Sequence, residues 1–267
     1  MKPRREPLGS VTVATHQGGR SHQEDRAVQA WIDCAAGAGW LLAVFDGHRG
    51  AAVAEQASQA LRSLFLAHFT ARKGDPSATL NDVFRSLHEL TNKNTAGSTA
   101  SVVFIPEDAG AIYLGVLGDS PIAIVDSTGQ SHFGPDHNIR TNFREREAAL
   151  ARGGVFSEGY LEDPQVPGVG LQMSRSLGDV DLTWVLERKP EIERVSFGGK
   201  GIVLVGSDGL LLPRKGHNAE QLARLLRLVQ EGADAQALVT DAVDRGADDN
   251  ITAIVWELGL WGGRTAA

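Results

Sequence analysis

The residues with the most chemical potential stand where apolar runs break off at an acid. Leu41-Leu-Ala-Val-Phe45 ends in Asp46, and Gly47 and His48 follow. Five apolar residues in a row predict a buried strand, which puts Asp46 at a rigid strand end where a carboxylate can grip a cation. Gly47 can turn its carbonyl toward the same ion, and His48 lies within reach of whatever that ion binds. Taken alone, Asp-Gly reads equally well as a turn whose Asp caps the following helix. The pattern recurs, however. Tyr113 to Gly118 runs into Asp119-Ser120, and Ile202 to Val205 runs through Gly206-Ser207 into Asp208-Gly209. Asp248-Asp249-Asn250 precedes the apolar run Ile251 to Trp256, and Arg20 to Asp25 follows Val11 to Thr15. Carboxylates gathered with few basic neighbours repel one another, so a site built of them is stable chiefly with divalent cations in it. Ligation by oxygen alone points to magnesium, manganese or calcium rather than zinc or copper.

Two such ions held by shared carboxylates can acidify a bridging water and make hydroxide available near neutral pH, and that hydroxide can attack a phosphorus in line. The ions neutralise the phosphoryl oxygens, an arginine can bind two of those oxygens at once, and an imidazolium can protonate the departing alkoxide.

The elements that must position these groups are visible as periodicity. Val11 to Thr15 and Ala27 to Asp33 read as strands that bracket the Arg20 to Asp25 loop, with Ala35 to Gly39 as a connecting turn. Val53, Ala57, Leu61, Leu64 and Phe65 predict a helix to about Phe69, one face of it covered by sheet. A second helix follows Gly74-Asp75-Pro76, with the stripe Leu80, Val83, Phe84, Leu87 and Leu90, and ends near Asn94. Ser98 to Ile105, Ala111 to Leu117 and Pro121 to Val125 are short apolar runs between turn residues, as in antiparallel meanders. Arg140 to Arg152 is highly charged and is stopped by Gly153-Gly154, which predicts a solvated surface helix and loop. Leu222, Leu225, Leu226 and Val229 mark a further helix, and Ala237 to Val243 a shorter one. Helices on either side of a run of strands predict sheets covered by helices.

An ordered set of short motifs runs through these elements: Gln17-Gly-Gly-Arg20-Ser-His-Gln-Glu24-Asp25, Phe45-Asp46-Gly47-His48, Gly97-Ser-Thr99-Ala100, Gly118-Asp119-Ser120, Pro135-Asp136-His137, Ser174-Arg175-Ser-Leu-Gly178-Asp179, Lys189-Pro-Glu191, Ser207-Asp208-Gly209 and Asp249-Asn250-Ile-Thr252. Together they resemble the metal-dependent protein phosphatases, the PPM or type 2C serine/threonine phosphatases, from about Val11 to Trp256. The resemblance implies an α+β fold, a four-layer α/β/β/α sandwich with two central antiparallel sheets and the metals in a cleft at one end of them. It implies manganese or magnesium, two core ions and a weaker third. Asp46 bridges the core pair; Asp208 and Asp249 complete the shell of one ion, and Glu24 with the Gly47 carbonyl serves the other. Arg20 is the phosphate clamp and His48 the general acid. Asp119 and Asp179 serve the third metal, and Asp25 orients a metal-bound water or His48 from behind the ligands. The implied reaction is hydrolysis of phosphoserine and phosphothreonine in proteins by a metal-bridging hydroxide. Two alternatives stay open: a pseudophosphatase that keeps the fold as a binding module, and a phosphoesterase for small molecules. The region from about 140 to 168 corresponds to a flap beside the site that influences substrate choice.

Some positions depart from the family pattern. Arg49 stands where glycine usually follows the histidine, placing a large cation beside the cleft. Pro121 replaces the arginine that commonly follows Gly-Asp-Ser, and Gly134-Pro135 replaces a more usual Leu-Thr pair. His137 reads as structural. Asn250-Ile-Thr252 also matches a glycosylation acceptor, for which a cytoplasmic metal loop is the better account.

Composition agrees with a single catalytic domain over 10–258, a flexible tail over 1–9 and another over 259–267. The net charge of −7 and the lack of any Lys/Arg run argue against nucleic acid or an anionic membrane as the main partner. One cysteine, Cys34, excludes an internal disulfide and a zinc cluster. No apolar stretch approaches the length of a membrane span or signal peptide. The expectation is a cytoplasmic monomer acting on phosphorylated proteins.

Overall fold

The computed structural model describes residues 5–211 and 218–259. Strand β1 (Ser10–His16) leads into the site loop, and β2 (Arg26–Cys34) and β3 (Gly37–Phe45) form a hairpin that ends at Asp46. A two-residue strand, β4 (Gly47–His48), precedes the helices α1 (Ala52–Ala71) and α2 (Pro76–Thr91). The middle of the chain is β5 (Gly97–Ser98), β6 (Ala100–Pro106), β7 (Ala111–Leu117), β8 (Ile122–Asp126) and β9 (Ser131–Phe133). A satellite follows: α3 (Phe143–Ala151), β10 (Val155–Ser157), β11 (Tyr160–Glu162) and β12 (Gly170–Leu171). The chain closes with β13 (Leu177–Gly178), β14 (Glu191–Ser196), β15 (Gly201–Gly206), α4 (Asn218–Gln230), α5 (Ala235–Asp244) and β16 (Ile251–Leu258).

Two five-stranded sheets with antiparallel pairings, in the orders β1-β16-β15-β8-β9 and β14-β7-β6-β3-β2, form the two central layers. The inner strands β3, β6, β7, β8, β15 and β16 are apolar on both faces because each face is covered. Leu42, Val44, Val103, Leu114, Val203, Val205 and Ile254 meet between the sheets, while Leu41, Ala43, Phe45, Val102 and Phe104 turn outward against α1 and α2. On the opposite side α4 and α5 press Leu225, Leu226, Leu238 and Val239 onto Ala123, Leu204, Ala253 and Val255. The molecule is therefore the four-layer α/β/β/α sandwich that the resemblance implies.

The helices follow their sequence stripes. Val53, Ala57, Leu61 and Phe65 of α1 are buried, and Leu64 is packed at the margin of the same cluster. Asp75 caps α2 by accepting from the Ala78 amide, with Pro76 in the first turn, where its missing N–H costs nothing. Leu90, expected on the buried stripe, is 48% exposed; it lies in the last turn of α2. Only Ala35 and Ala36 separate β2 from β3, so most of the expected Ala35 to Gly39 turn is strand, carried by the register of Gly37 to Gly39 against Cys34 through Ile32.

The amino-terminal tail expected over 1–9 is anchored from Arg5 onward. Arg5 pairs with Glu107 at 2.7 Å, and the Leu8 carbonyl accepts from the indole N–H groups of Trp40 (2.8 Å) and Trp256 (3.0 Å). Residues 1–4 of that expected tail, and all of the 259–267 tail but Gly259, lie outside the described residues. Among the described residues no helix is long and apolar enough to cross a membrane.

Candidate metal and phosphate cleft

The expected acids converge at one end of the sandwich because the strands that carry them end there. Asp46 follows β3, Asp208 follows β15 by one residue, Asp249 precedes β16 by one residue, and Asp119 follows β7. Arg20, Glu24, Asp46, Gly47, His48, Asp119, Asp208 and Asp249 all line one cleft of about 240 Å³.

Short polar motifs fix the backbone beneath them. The Asp46 amide donates to Thr99 Oγ1 (3.0 Å), the Thr99 amide donates to the Asp46 carbonyl (2.9 Å), and Thr99 Oγ1 lies 2.7 Å from Ser120 Oγ. The Asp208 amide donates to Asp46 Oδ2 at 3.4 Å. Asn250 ties the site loop to β16: its Nδ2 donates to the Gln17 and His22 carbonyls (2.8 and 2.9 Å), and its Oδ1 accepts from the Glu24 amide (2.7 Å). The loop approaches so closely that a Cβ on Gly18, which sits at φ +62°, would stand 1.9 Å from the Asp249 carbonyl oxygen. A Cβ on Gly47 would likewise stand 2.5 Å from the Glu24 carbonyl oxygen. Asn250 and Thr99 were the hidden functional residues here. Both lie inside the quoted motifs, but nothing in their types announces that they bond to backbone.

The electrostatics are those of crowded negative charge. Burial raises Asp46 well above the ordinary carboxylate range, and the charges of Asp25, Asp208, Asp119 and Asp249 raise it further. Asp208 is raised in the same way, by burial and then by Asp119, Asp249 and Asp25. Burial pushes Asp119 up to about 6, against a hydrogen bond from Asn138 Nδ2 at 2.8 Å. Asp25 also rises to about 6 through burial; Thr252 Oγ1 donates to its Oδ2 at 2.8 Å, while its buried Oδ1 has no partner. Its place behind the cleft suits the supporting role expected of it. Arg20 reaches Asp249, Nη2 to Oδ2 at 2.6 Å, with a side chain 60% exposed.

A hard divalent cation fits this donor set. The groups are all oxygen, they share one cleft, and Asp25 keeps an unpartnered buried oxygen at its base. Among the described residues, though, no three His, Cys, Asp or Glu side chains already encircle a single ion. The fit is one of chemistry and shared charge.

Asp179 departs from the expected role. It does not line the cleft. Its side chain is fully buried behind His48, where Oδ2 receives His48 Nε2 at 2.8 Å and Ser176 Oγ at 2.6 Å, and Oδ1 receives Arg49 Nη1 at 3.3 Å. Both Asp179 oxygens already accept from side chains, and of the expected pair Asp119 alone lines the cleft. Arg49 lines the cleft as expected, but its guanidinium is held bidentately by Asp181 at 3.0 and 2.5 Å rather than left free for phosphate. His137 is structural, as read: it is fully buried, its Nδ1 accepts from the Gly118 amide at 3.1 Å, and its Nε2 lies 3.3 Å from Glu191.

The flap is more than a solvated helix. Ile139, Ala149, Leu161, Leu171, Leu182, Val185 and Leu186 form a small core of their own, so the unit extends past the expected 168. Its segment Gly170 to Met173 forms one wall of the cleft.

A protein-family model described as Protein phosphatase 2C matches residues 10–251. Among curated proteins, the chain is 26% identical to Protein phosphatase 1K, mitochondrial, of Xenopus laevis, over 96% of this chain and 69% of that protein. It is 30% identical to Probable protein phosphatase 2C 45 of Oryza sativa subsp. japonica, over 80% and 75%. A protein kinase and PP2C-like domain-containing protein of Arabidopsis thaliana is 29% identical, and the match spans 34% of its length. Among solved structures, serine-threonine phosphatase 2C from Toxoplasma gondii superposes with a TM-score of 0.74 at 21% identity, over 96% of this chain and 99% of that one.

Proposed function

The chain belongs to the protein phosphatase 2C family, and we propose that it hydrolyses phosphoserine and phosphothreonine in proteins with manganese or magnesium in the cleft. The observation that carries this reading is the convergence of Asp46, Asp208, Asp249 and Asp119, two of them raised well above the carboxylate range by burial and mutual repulsion. Such a cluster needs divalent charge to remain ionised at neutral pH, and a phosphoryl group is the substrate whose own charge such ions offset.

Asp46, Asp208, Asp249, Glu24 and the Gly47 carbonyl would hold the two core ions, and Asp119 would contribute to a weaker third. When bound, the ions supply Lewis acidity and an acidified water. The protein's own groups do the rest. Arg20, exposed at the rim, leaves Asp249 to bind two phosphoryl oxygens through its guanidinium fork. His48, in the cleft wall, protonates the departing seryl or threonyl oxygen, which is otherwise a poor leaving group. Asn250 and Thr99 keep the loop and the strand end in register with each other. The flap segment Gly170 to Met173 presents a wall against which the flanking peptide can lie. A monomer working in the cytoplasm is part of the proposal, with the single Cys34 as its support.

The test is phosphate release from phosphoserine, phosphothreonine and phosphotyrosine peptides, with manganese, magnesium or chelator. Metal-dependent release from the first two supports the proposal. Turnover of small phosphate monoesters with none of the peptides would move the substrate class, and a folded protein inactive on everything with either metal would make it a binding module.

A further inference from the structure

We infer that Asp179 is a positioning residue for proton delivery: it fixes the His48 ring through Nε2 so that Nδ1 hands the proton to the leaving oxygen. This rests on the phosphatase reading above and replaces the metal-ligand role that the motif suggested for Asp179.

The first observation is the bond itself. His48 Nε2 lies 2.8 Å from Asp179 Oδ2, and the Asp179 side chain is 0% exposed while that of His48 is 20% exposed. A carboxylate only accepts, so Nε2 is the protonated nitrogen of this pair. Nδ1 makes no hydrogen bond to any described residue, which leaves it as the ring nitrogen free to exchange a proton with the cleft.

The second observation is how much structure is spent on holding that carboxylate still. Ser176 Oγ donates to Oδ2 and Arg49 Nη1 to Oδ1, and Asp181 in turn holds Arg49 bidentately. Arg188 donates to the Asp179 carbonyl at 2.9 Å, and the Asp179 amide donates to the Ala96 carbonyl at 3.0 Å. Asp179 takes up φ +46°, and Arg49 φ +62°; both are left-handed conformations that non-glycine residues rarely adopt. Strain of this kind persists where the surroundings over-determine it.

The third observation is steric and independent of the hydrogen bonds. A small three-stranded sheet, β13-β5-β4, carries Gly178, Gly97 and His48 side by side. A Cβ on Gly97 would stand 2.0 Å from Asp179 Oδ2 and 2.2 Å from His48 Nε2, in the middle of their bond. Glycine at 97 is what lets the two side chains meet, and neither can retreat, since Ser176 and Arg49 hold the carboxylate. The two-residue strands are too short to stabilise much by themselves; their effect is to bring three loops together at this bond.

In the step assigned, the bond from phosphorus to the leaving oxygen breaks with its electron pair going to that oxygen, which takes the Nδ1 proton. The imidazole is left neutral, keeps its Nε2 proton toward Asp179, and recovers the Nδ1 proton from water.

The test compares a phosphothreonine peptide with nitrophenyl phosphate, whose leaving group needs no proton. Asp179→Asn is expected to lower kcat on the peptide by on the order of 10²-fold and on nitrophenyl phosphate by several-fold at most. In a His48→Gln background the same substitution is expected to cost nothing further on either substrate. Gly97→Ala, which keeps both residues but puts a Cβ into their bond, is expected to show the same selective loss. A second readout needs no metal: nitrogen-15 spectra of the histidine rings in the chelated protein are expected to show neutral His48 protonated at Nε2, and Asp179→Asn to abolish that preference. Equal losses on the two substrates, additive losses in the double variant, or a neutral His48 ring whose one proton sits on Nδ1 would each overturn the proposal. A wild-type protein that hydrolyses neither substrate while its spectra show the Nε2 proton would fail the phosphatase reading and keep the pairing.

Discussion

At the scale of single residues, the cleft trades stability for ligand affinity. Asp46 is raised by burial and by neighbouring acids, so in the metal-free protein its charged form costs stability. Asp46→Asn keeps the shape and removes the charge. The variant removes the charge that burial and the neighbouring acids penalise, so it is expected to stabilise the chelated protein at neutral pH while turnover is lost. Chemical denaturation with chelator present checks this, and a destabilised Asp46→Asn would show that the carboxylate has partners the crowding argument omits. The acids and Arg20 were legible in the sequence because a strand that ends in an acid puts that acid at an edge. The bond from His48 to Asp179 was not legible: the motif gives position along the chain, while the side chain of Asp179, on a left-handed backbone, lies buried behind His48. Thr99 and Asn250 could not be read as holders of backbone, since their partners are 53 to 233 residues away.

At the scale of elements, the flap is stapled rather than loose. Arg175 Nη2 and Nε donate to Glu145 Oε1 and Oε2 at 2.5 and 3.0 Å, and Ser174 Oγ donates to the same carboxylate. Burial would raise Glu145, but the bonds from Arg175 and Ser174 prevail and hold it down at about 2. Because the folded value lies below the ordinary one of 4.5, this staple stabilises fully above about pH 4.5 and is lost as pH falls toward 2. Glu145→Gln is expected to cost about 2 kcal/mol at neutral pH, as for a lost charged hydrogen bond, and much less near pH 3. Equilibrium unfolding at the two pH values measures it, and equal costs at both would contradict the staple. The large strands and α1, α2, α4 and α5 were legible from periodicity. The sheet β13-β5-β4 was not, because a two-residue strand has no period to read. The pinned segment from Arg5 to Gly9 was also invisible, since its anchors Trp40 and Trp256 come from two different strands.

At the scale of the whole molecule, the two sheets form a rigid sandwich whose one end concentrates acid in a chain already at net charge −7. Cations that bind only the folded state are expected to stabilise it. At 100 times the dissociation constant the gain is about 2.7 kcal/mol, or a Tm rise of roughly 5 to 10 °C for a domain of this size. Asp25 and Asp119 are raised from 3.8 to about 6, so the metal-free fold loses stability as pH rises through about 6, while ion binding requires those carboxylates to give up their protons. The Tm difference between manganese-loaded and chelated protein is therefore expected to shrink as pH falls below about 6. A difference that stays constant across that window would separate these two acids from the ion site.

The most direct measurement of the central claim is a manganese titration of phosphothreonine-peptide turnover by the wild-type chain and by Asp208→Asn, with ion binding followed calorimetrically in the same samples. The account predicts saturable, manganese-dependent turnover in the wild type, with weakened ion binding and turnover reduced to background in the variant, both proteins unfolding cooperatively. Turnover that persists in chelator, or an Asp208→Asn protein that binds manganese and turns over as the wild type does, would contradict it.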